Sequence, residues 1–400
     1  MSLRWRPGSP LPAGDHDHLT VVGARVLGPD GSFAAVDELR IRHGHFLAVA
    51  EDAAAATLVV DARGLWLTPG FVDAHTHLSW HDFDEAARGE QSEATRVERT
   101  AQACRRTLQA GITLARDAGG LDQRLGNALS AAGEPLPLVR RSIDIVGAPD
   151  ACGERHLRGR VAELADAGAQ WIKVAATPGV GAAGRHLEPV FTPVELAAIM
   201  SSAHRAGLPV MVHAWGGDPL TWALELGARS IEHAVFLTAA QARLAASVGA
   251  VVVPTVWIYR DVLALATAGV LPQRLAGAAR LAVESHPAAI RECLAAGVGL
   301  ALGTDAGMDH QHGANLREVA ALIDLGVPPD VALTAATSGG ATLLGQQDRG
   351  AIAPGYRADF VLFDRDPSLP EVLREPTAVV AVALAGHLVH LGRQAATVEG

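Results

Sequence analysis

The stretch "LTPGFVDAHTHL", residues 67–78, decides the fold. A Pro-Gly turn leads into an apolar run, "GFVDAH" (70–75), that ends in His-x-His. Short apolar runs bounded by turn residues read as buried strands. Seven more follow at regular intervals: "GITLARD" (111–117), "VRRSIDIVG" (139–147), "WIKVAA" (171–176), "PVMVHAW" (209–215), "SIEHA" (230–234), "AVVVPTV" (250–256) and "VGLALGTDAG" (298–307). Between them lie Ala/Leu/Arg-rich helical stretches, such as 96–110, 192–207 and 238–249. Several of these open on Thr or Ser followed by Pro or an acid, as helix N-termini do. Eight strands alternating with helices predict a parallel sheet closed into a (β/α)8 TIM barrel, an α/β fold. Such a barrel carries its active site at the C-terminal ends of its strands.

The flanks read differently. Residues 19–67 and 351–394 are Val-rich short strands punctuated by Gly, Asp and Pro. Neither is long enough for a comfortable sandwich alone. They predict one small β-sandwich domain assembled from both chain ends, beside a barrel over 68–350. Of the 400 residues 49% are hydrophobic and 19% charged, enough for a large core and contrary to disorder. A net charge of −10 disfavours nucleic acid or an anionic membrane as partner. Three cysteines without CxxC spacing suggest neither a disulfide framework nor a thiolate metal site. The start has no apolar signal region and no run approaches 18 apolar residues, so the expected location is the cytoplasm.

What stands at the strand ends is a set of metal-ligand types. The first strand ends with His75 and His77, the fourth carries Lys173, the fifth His213, the sixth His233 and the eighth Asp305. Side chains two apart on a strand share a face, so His-x-His lets two imidazoles grip one ion. The motif alone is weak. It recurs at His16/His18, His43/His45 and His310/His312, and only His75/His77 completes an apolar strand. The force of the pattern lies in five matching strand ends in one order. Imidazole and carboxylate together suit Zn, with Mn, Co or Fe as alternatives. Lys173 is also the only lysine; the other 32 of 33 cationic side chains are arginines. A buried lysine amine can lose its proton and act as a nucleophile, which a guanidinium cannot do.

The motifs "LTPGFVDAHTHL", "GITLARDAGG", "WIKVAATPGV", "VMVHAWGG", "SIEHAVFL", "GTDAG…HGANLRE" and "GAIAPGYRADFVLFDRDP" resemble those of the amidohydrolase superfamily, from about residue 20 to 393. The branch they resemble most holds prolidase-like dipeptidases and imidazolonepropionase relatives. The resemblance implies two divalent ions held by His75, His77, Lys173, His213, His233 and Asp305. It implies that Lys173 is carboxylated by CO2 and bridges the ions as a carbamate. It also implies a metal-bridging hydroxide as attacking group, with Asp305 moving the proton to the leaving group.

Deaminases of the superfamily carry an acid three residues after the fifth-strand histidine and do without the lysine. Here that position is Gly216, and the lysine is present, which points to hydrolysis of an amide-like carbonyl. The resemblance implies a small-molecule substrate as partner, a dipeptide or N-acyl amino acid. An ester, lactone or carbamate hydrolase on the same centre is the alternative, with a mononuclear deaminase or imidazolone-ring hydrolase behind it. "GAPDACGERHLRG" stands where the prolidase-like branch has Gly-Gly-His, so dipeptide specificity does not follow from the motif, and His156 aligns loosely there. Expected substrate contacts are Trp215 at the mouth, Tyr259 and Arg260 after the seventh strand, the Arg against a carboxylate, and His312. Glu318 and Asp117 are expected in structural ion pairs. Homo-oligomers are common in this family, but no segment of the sequence marks a dimer surface.

Overall fold

The computed structural model describes residues 3–9, 18–48, 58–82, 88–181 and 184–392. His16, and residues 49–57 and 393–394 of the expected β domain, lie outside the described residues.

The expected strands form where the apolar runs stand, and all but the partly exposed Leu138–Arg141 are largely buried. Phe71–Thr76, Ile112–Asp117 and Leu138–Arg141 make one parallel sheet. Ile145–Val146, Ile172–Ala175, Val210–Ala214, Ser230–His233 and Val251–Val253 make a second. The third expected strand is thus split between the two sheets. The break falls at Ser142–Asp144, where Ile143 has φ 69°, a left-handed conformation that interrupts pairing. The eighth expected strand is not a regular one. Segment 298–307 bridges Val251–Val253 on one side, through Val252 and Leu300, and Phe71–Thr76 on the other, through Thr76 and Ala306. The main-chain bonds Ala74 N–H to Leu302 O (2.8 Å) and Asp305 N–H to His75 O (2.7 Å) hold it there. That seat requires Gly303. A Cβ at this position would lie 2.3 Å from Val253 and 2.8 Å from the His75 Cβ.

Helices lie between the strands and start as the sequence predicts. Pro193–Arg205 is capped by Thr192, whose Oγ1 accepts from Glu195 N–H at 3.2 Å while Glu195 accepts from Thr192 N–H at 3.0 Å. Thr238 and Gln241 repeat the device at Ala239–Val248. After Val251–Val253 the chain makes two helices rather than one, Val256–Thr267 and Arg274–Ala296, packed on each other.

Among the described residues, the two chain ends build one hydrogen-bonded sheet of nine strands. Its N-terminal members include His18–Leu27 and Trp66–Pro69, and its C-terminal members are Phe360–Phe363, Val379–Leu384 and His387–Leu391. The two sets meet where Phe360–Phe363 runs antiparallel to Trp66–Pro69. Leu19, Val21, Leu58, Val60, Leu67, Phe360 and Leu362 form its own apolar core. The His43/His45 pair sits in the exposed turn between Phe33–Arg42 and His45–Phe46.

Candidate metal centre

The ends of the parallel strands converge on a cavity of about 710 Å³ lined by His75, His77, Lys173, His213, His233 and Asp305 together. His75 Nε2 lies 3.2 Å from Lys173 Nζ and 3.2 Å from Asp305 Oδ1, and His77 Nε2 lies 3.3 Å from the same oxygen. The rings of His213 and His233 stand 4.4 Å apart, and His233 is 5.1 Å from His75. Among the described residues, His75, His77 and Asp305 are the one group of three His, Cys, Asp or Glu whose ligand atoms all lie within 4.8 Å of one another.

Each imidazole is aimed by its far nitrogen. His75 Nδ1 donates to Glu232 Oε2 (2.8 Å), His77 Nδ1 to the Gly119 carbonyl (3.0 Å), and His233 Nδ1 to Thr255 Oγ1 (2.7 Å). This leaves Nε2 of each turned to the floor as a lone pair, the arrangement a metal-binding histidine needs. His213 Nε2 is buried and has no hydrogen-bond partner. An orphaned buried nitrogen in such a ring of N and O donors fits a divalent cation.

The electrostatics favour neutral imidazoles at His77, His213 and His233 beside an anionic Asp305. Burial lowers the His77 imidazole, takes His213 down to about 3 and holds His233 well below the ordinary histidine range. Burial brings the Lys173 amine down to about 8, against the opposing pull of Glu232 and Asp305. Burial alone would raise the Asp305 carboxyl, but the imidazoles of His75, His77 and His233 hold it well below the usual range. Its side chain is 21% exposed, so the carboxylate faces the cavity.

Beneath the floor lies a layer that the sequence did not reveal. Glu232 is fully buried and accepts from Arg116 Nη2 at 3.0 Å as well as from His75 and Ser230. Burial would raise its carboxyl, yet Arg116 and His75 bring it to about 2. Arg116 also donates to the Ala74 carbonyl and lies over the Trp171 ring at 4.3 Å. Asp73 receives Thr304 Oγ1 at 2.7 Å and Asn315 Nδ2 at 2.8 Å, tying the first strand to the segment that bears Asp305.

The expected substrate contacts divide. Tyr259 lines the cavity. Trp215 does not: it is fully buried, stacks on His186 and donates from Nε1 to the Tyr259 hydroxyl at 3.0 Å. Arg260 is corrected too, because it pairs with Asp324 at 2.9 Å and does not line the cavity. His312 is buried beside a second cavity, lined also by Arg106 and Arg317, and does not line the first. His156 is exposed on the helix Glu154–Asp166. Asp117 and Glu318 make no ion pair among the described residues. Asp117 accepts from the main chain of Leu78, Gly119 and Leu121, and Glu318 from Val256 N–H (2.8 Å) and Trp257 N–H (2.6 Å). Buried without a cation in contact, both are raised, to about 7 and about 8. Trp80, stacked on His77 at 3.7 Å, is a lining residue the sequence reading missed.

Convergent imidazoles, an amine and a carboxylate at the ends of parallel strands form a donor set that suits a divalent cation. The sequence matches the amidohydrolase family over residues 66–390, and the chain belongs to that family. It is accordingly a hydrolase acting on C–N bonds. An uncharacterised protein of Mycobacterium tuberculosis is 31% identical over 341 residues, 82% of this chain and 87% of that one. Imidazolonepropionase of Streptomyces griseus is 29% identical over 346 residues, 78% and 81%. A solved prolidase, complexed with N-methylphosphonate-L-proline, superposes with TM-score 0.83 at 23% identity, covering 94% of this chain and 100% of that one. Among the described residues no helix is long and apolar enough to cross a membrane.

Proposed function

We propose that this chain is a cytoplasmic binuclear amidohydrolase that cleaves the amide bond of a dipeptide or N-acyl amino acid. The observation that carries this reading is Lys173. The chain's only lysine is buried, 3.2 Å from His75 Nε2, with its amine brought down to about 8 by burial. Its neutral Nζ would add to CO2, forming an N–C bond and releasing a proton, and the carbamate would supply anionic oxygen donors to the metal site. His75, His77 and Asp305 would hold one ion, and His213 and His233 the other. Zn is the ion this donor set suits, with Mn, Co or Fe as alternatives. When bound, the ions polarise the scissile carbonyl and acidify water.

The remaining roles belong to the side chains. Asp305, anionic and facing the cavity, takes a proton from the attacking water at Oδ1 or Oδ2 and delivers it to the leaving nitrogen. Glu232, Gly119 and Thr255 fix the ring orientations of His75, His77 and His233. Tyr259, with its hydroxyl held by Trp215, faces the substrate. The two parallel sheets and segment 298–307 read as one eight-membered barrel over 68–350. The strands of 19–67 and 351–394 read as its companion β domain.

A second reading rests on the imidazolonepropionase relatives, which cover more than three quarters of the chain: a mononuclear site opening a cyclic amide. Lys173 at the floor favours the first. The test is hydrolysis of dipeptides and N-acyl amino acids against imidazolone-type lactams, with metal counted per chain. Turnover of linear amides at two ions per chain supports the proposal. Turnover of lactams alone at one ion overturns it.

A further inference from the structure

The cavity above the metal centre is two-faced. Its floor is polar. Its wall, on the side of the helix pair that follows the seventh strand, is Ile258, Val262, Val270, Leu271 and Leu275. Ile258, Val262 and Leu275 are buried in an apolar cluster of their own with Ala278, Ala279 and Ala282, so the wall is fixed before any ligand arrives. Val270 tops it at 66% exposure, more than any other large hydrophobic residue described. An apolar lip of this kind gains when a ligand covers it. Among the described residues, and leaving the six at the floor aside, two charged side chains line the cavity, Asp82 and Arg274. Arg274 begins the second helix of the pair, is exposed, and makes no ion pair with any described residue. The Arg260 of the preceding helix, by contrast, is already satisfied by Asp324.

Resting on the amide-hydrolase reading, we infer that the preferred substrate carries a bulky apolar side chain, packed on this wall, and a carboxylate that pairs with Arg274 at its rim. The apolar contact supplies most of the selectivity. Burying a leucine-sized group against a preformed wall separates substrates by about 10- to 100-fold. The exposed Arg274 pair is screened by solvent and contributes about three- to ten-fold. The floor stays free for the amide carbonyl, because neither recognition element belongs to it.

The test uses holoenzyme and three substrates: N-acetyl-leucine, N-acetyl-glycine, and N-(3-methylbutyl)acetamide, which keeps the leucine side chain and lacks the carboxylate. The wild type is expected to prefer N-acetyl-leucine to N-acetyl-glycine by at least about ten-fold in kcat/KM. Val270→Glu, at an exposed position, is expected to shrink that preference with metal content unchanged. Arg274→Met is expected to cost N-acetyl-leucine about three- to ten-fold, chiefly in KM, and to leave the neutral amide unaffected. Arg274→Lys recovers part of the loss. Equal rates for the leucine and glycine substrates, or equal effects of Arg274→Met on charged and neutral amides, would overturn the inference while leaving the hydrolase reading intact. No turnover of any linear amide by metal-loaded protein would overturn both.

Discussion

The first and sixth strands deliver their histidines to the same floor by opposite means. On the first, Phe71–Thr76, the chain is extended, so Asp73, His75 and His77 follow one another on one face with period two. On the sixth, Glu232 and His233 are neighbours, and both point inward. Alternation fails there because His233 and Ala234 adopt φ 69° and 51°, turning the chain as the strand ends. Thr255 and Asp305 do the same, at φ 52° and 53°. The regular strand end writes its function into the sequence as His-x-His. The irregular ones bring in side chains that no periodicity would put there, and they need a buried framework to hold them.

The predictions follow from that contrast. Asp305→Asn keeps the shape and removes the proposed base, and kcat for amide hydrolysis should fall by about 10²- to 10⁴-fold while the circular dichroism spectrum is retained. A loss below ten-fold would remove Asp305 from proton transfer.

The framework comes next. Glu232→Ala strands Arg116 without its partner in the core, and denaturant unfolding should show a loss of about 3–5 kcal/mol. Metal affinity should weaken about 10- to 100-fold as His75 loses its orienting carboxylate. Replacing both partners together, Arg116→Met with Glu232→Leu, should recover much of the stability and none of the affinity. Recovery of both would mean the pair merely fills space. Thr255→Val, which removes the hydroxyl behind His233, should cost about 1 kcal/mol in unfolding and a smaller loss of metal affinity than Glu232→Ala.

The smallest effect is a pH slope. Glu318 caps the irregular turn at Thr255, and its folded pKa, about 8, lies above its unfolded value near 4.5. The folded state therefore binds the extra proton. Stability from this group is complete below about pH 4.5 and is lost as pH rises through 8. The melting temperature of wild type should fall from pH 6 to 9 more steeply than that of Glu318→Gln. Parallel slopes would show that Glu318 is already ionised at neutral pH.

Much of this molecule was legible in its sequence because burial on both faces makes parallel strands apolar runs. The six floor residues lie where those runs end. The third and eighth strands were legible as segments but not as broken ones, since φ values at Ile143 and the squeeze at Gly303 leave no mark on hydrophobicity. Arg116 and Glu232 looked like ordinary charges within apolar strands, and nothing in sequence spacing pairs a second-strand arginine with a sixth-strand glutamate. Trp215 and Arg260 misled for different reasons. Trp215 stands two after His213 but beyond the strand's end at Ala214, where period two no longer holds, and Arg260 is the helical neighbour of the lining residue Tyr259 and points elsewhere.

The central claim is that Lys173 bridges two ions at the floor, and elemental analysis of purified wild type and Lys173→Ala tests it most directly. Two divalent ions per chain in wild type and fewer in the variant is the predicted result. One ion per chain in both would contradict it, and would leave the chain's single lysine buried beside His75 without a role in metal binding.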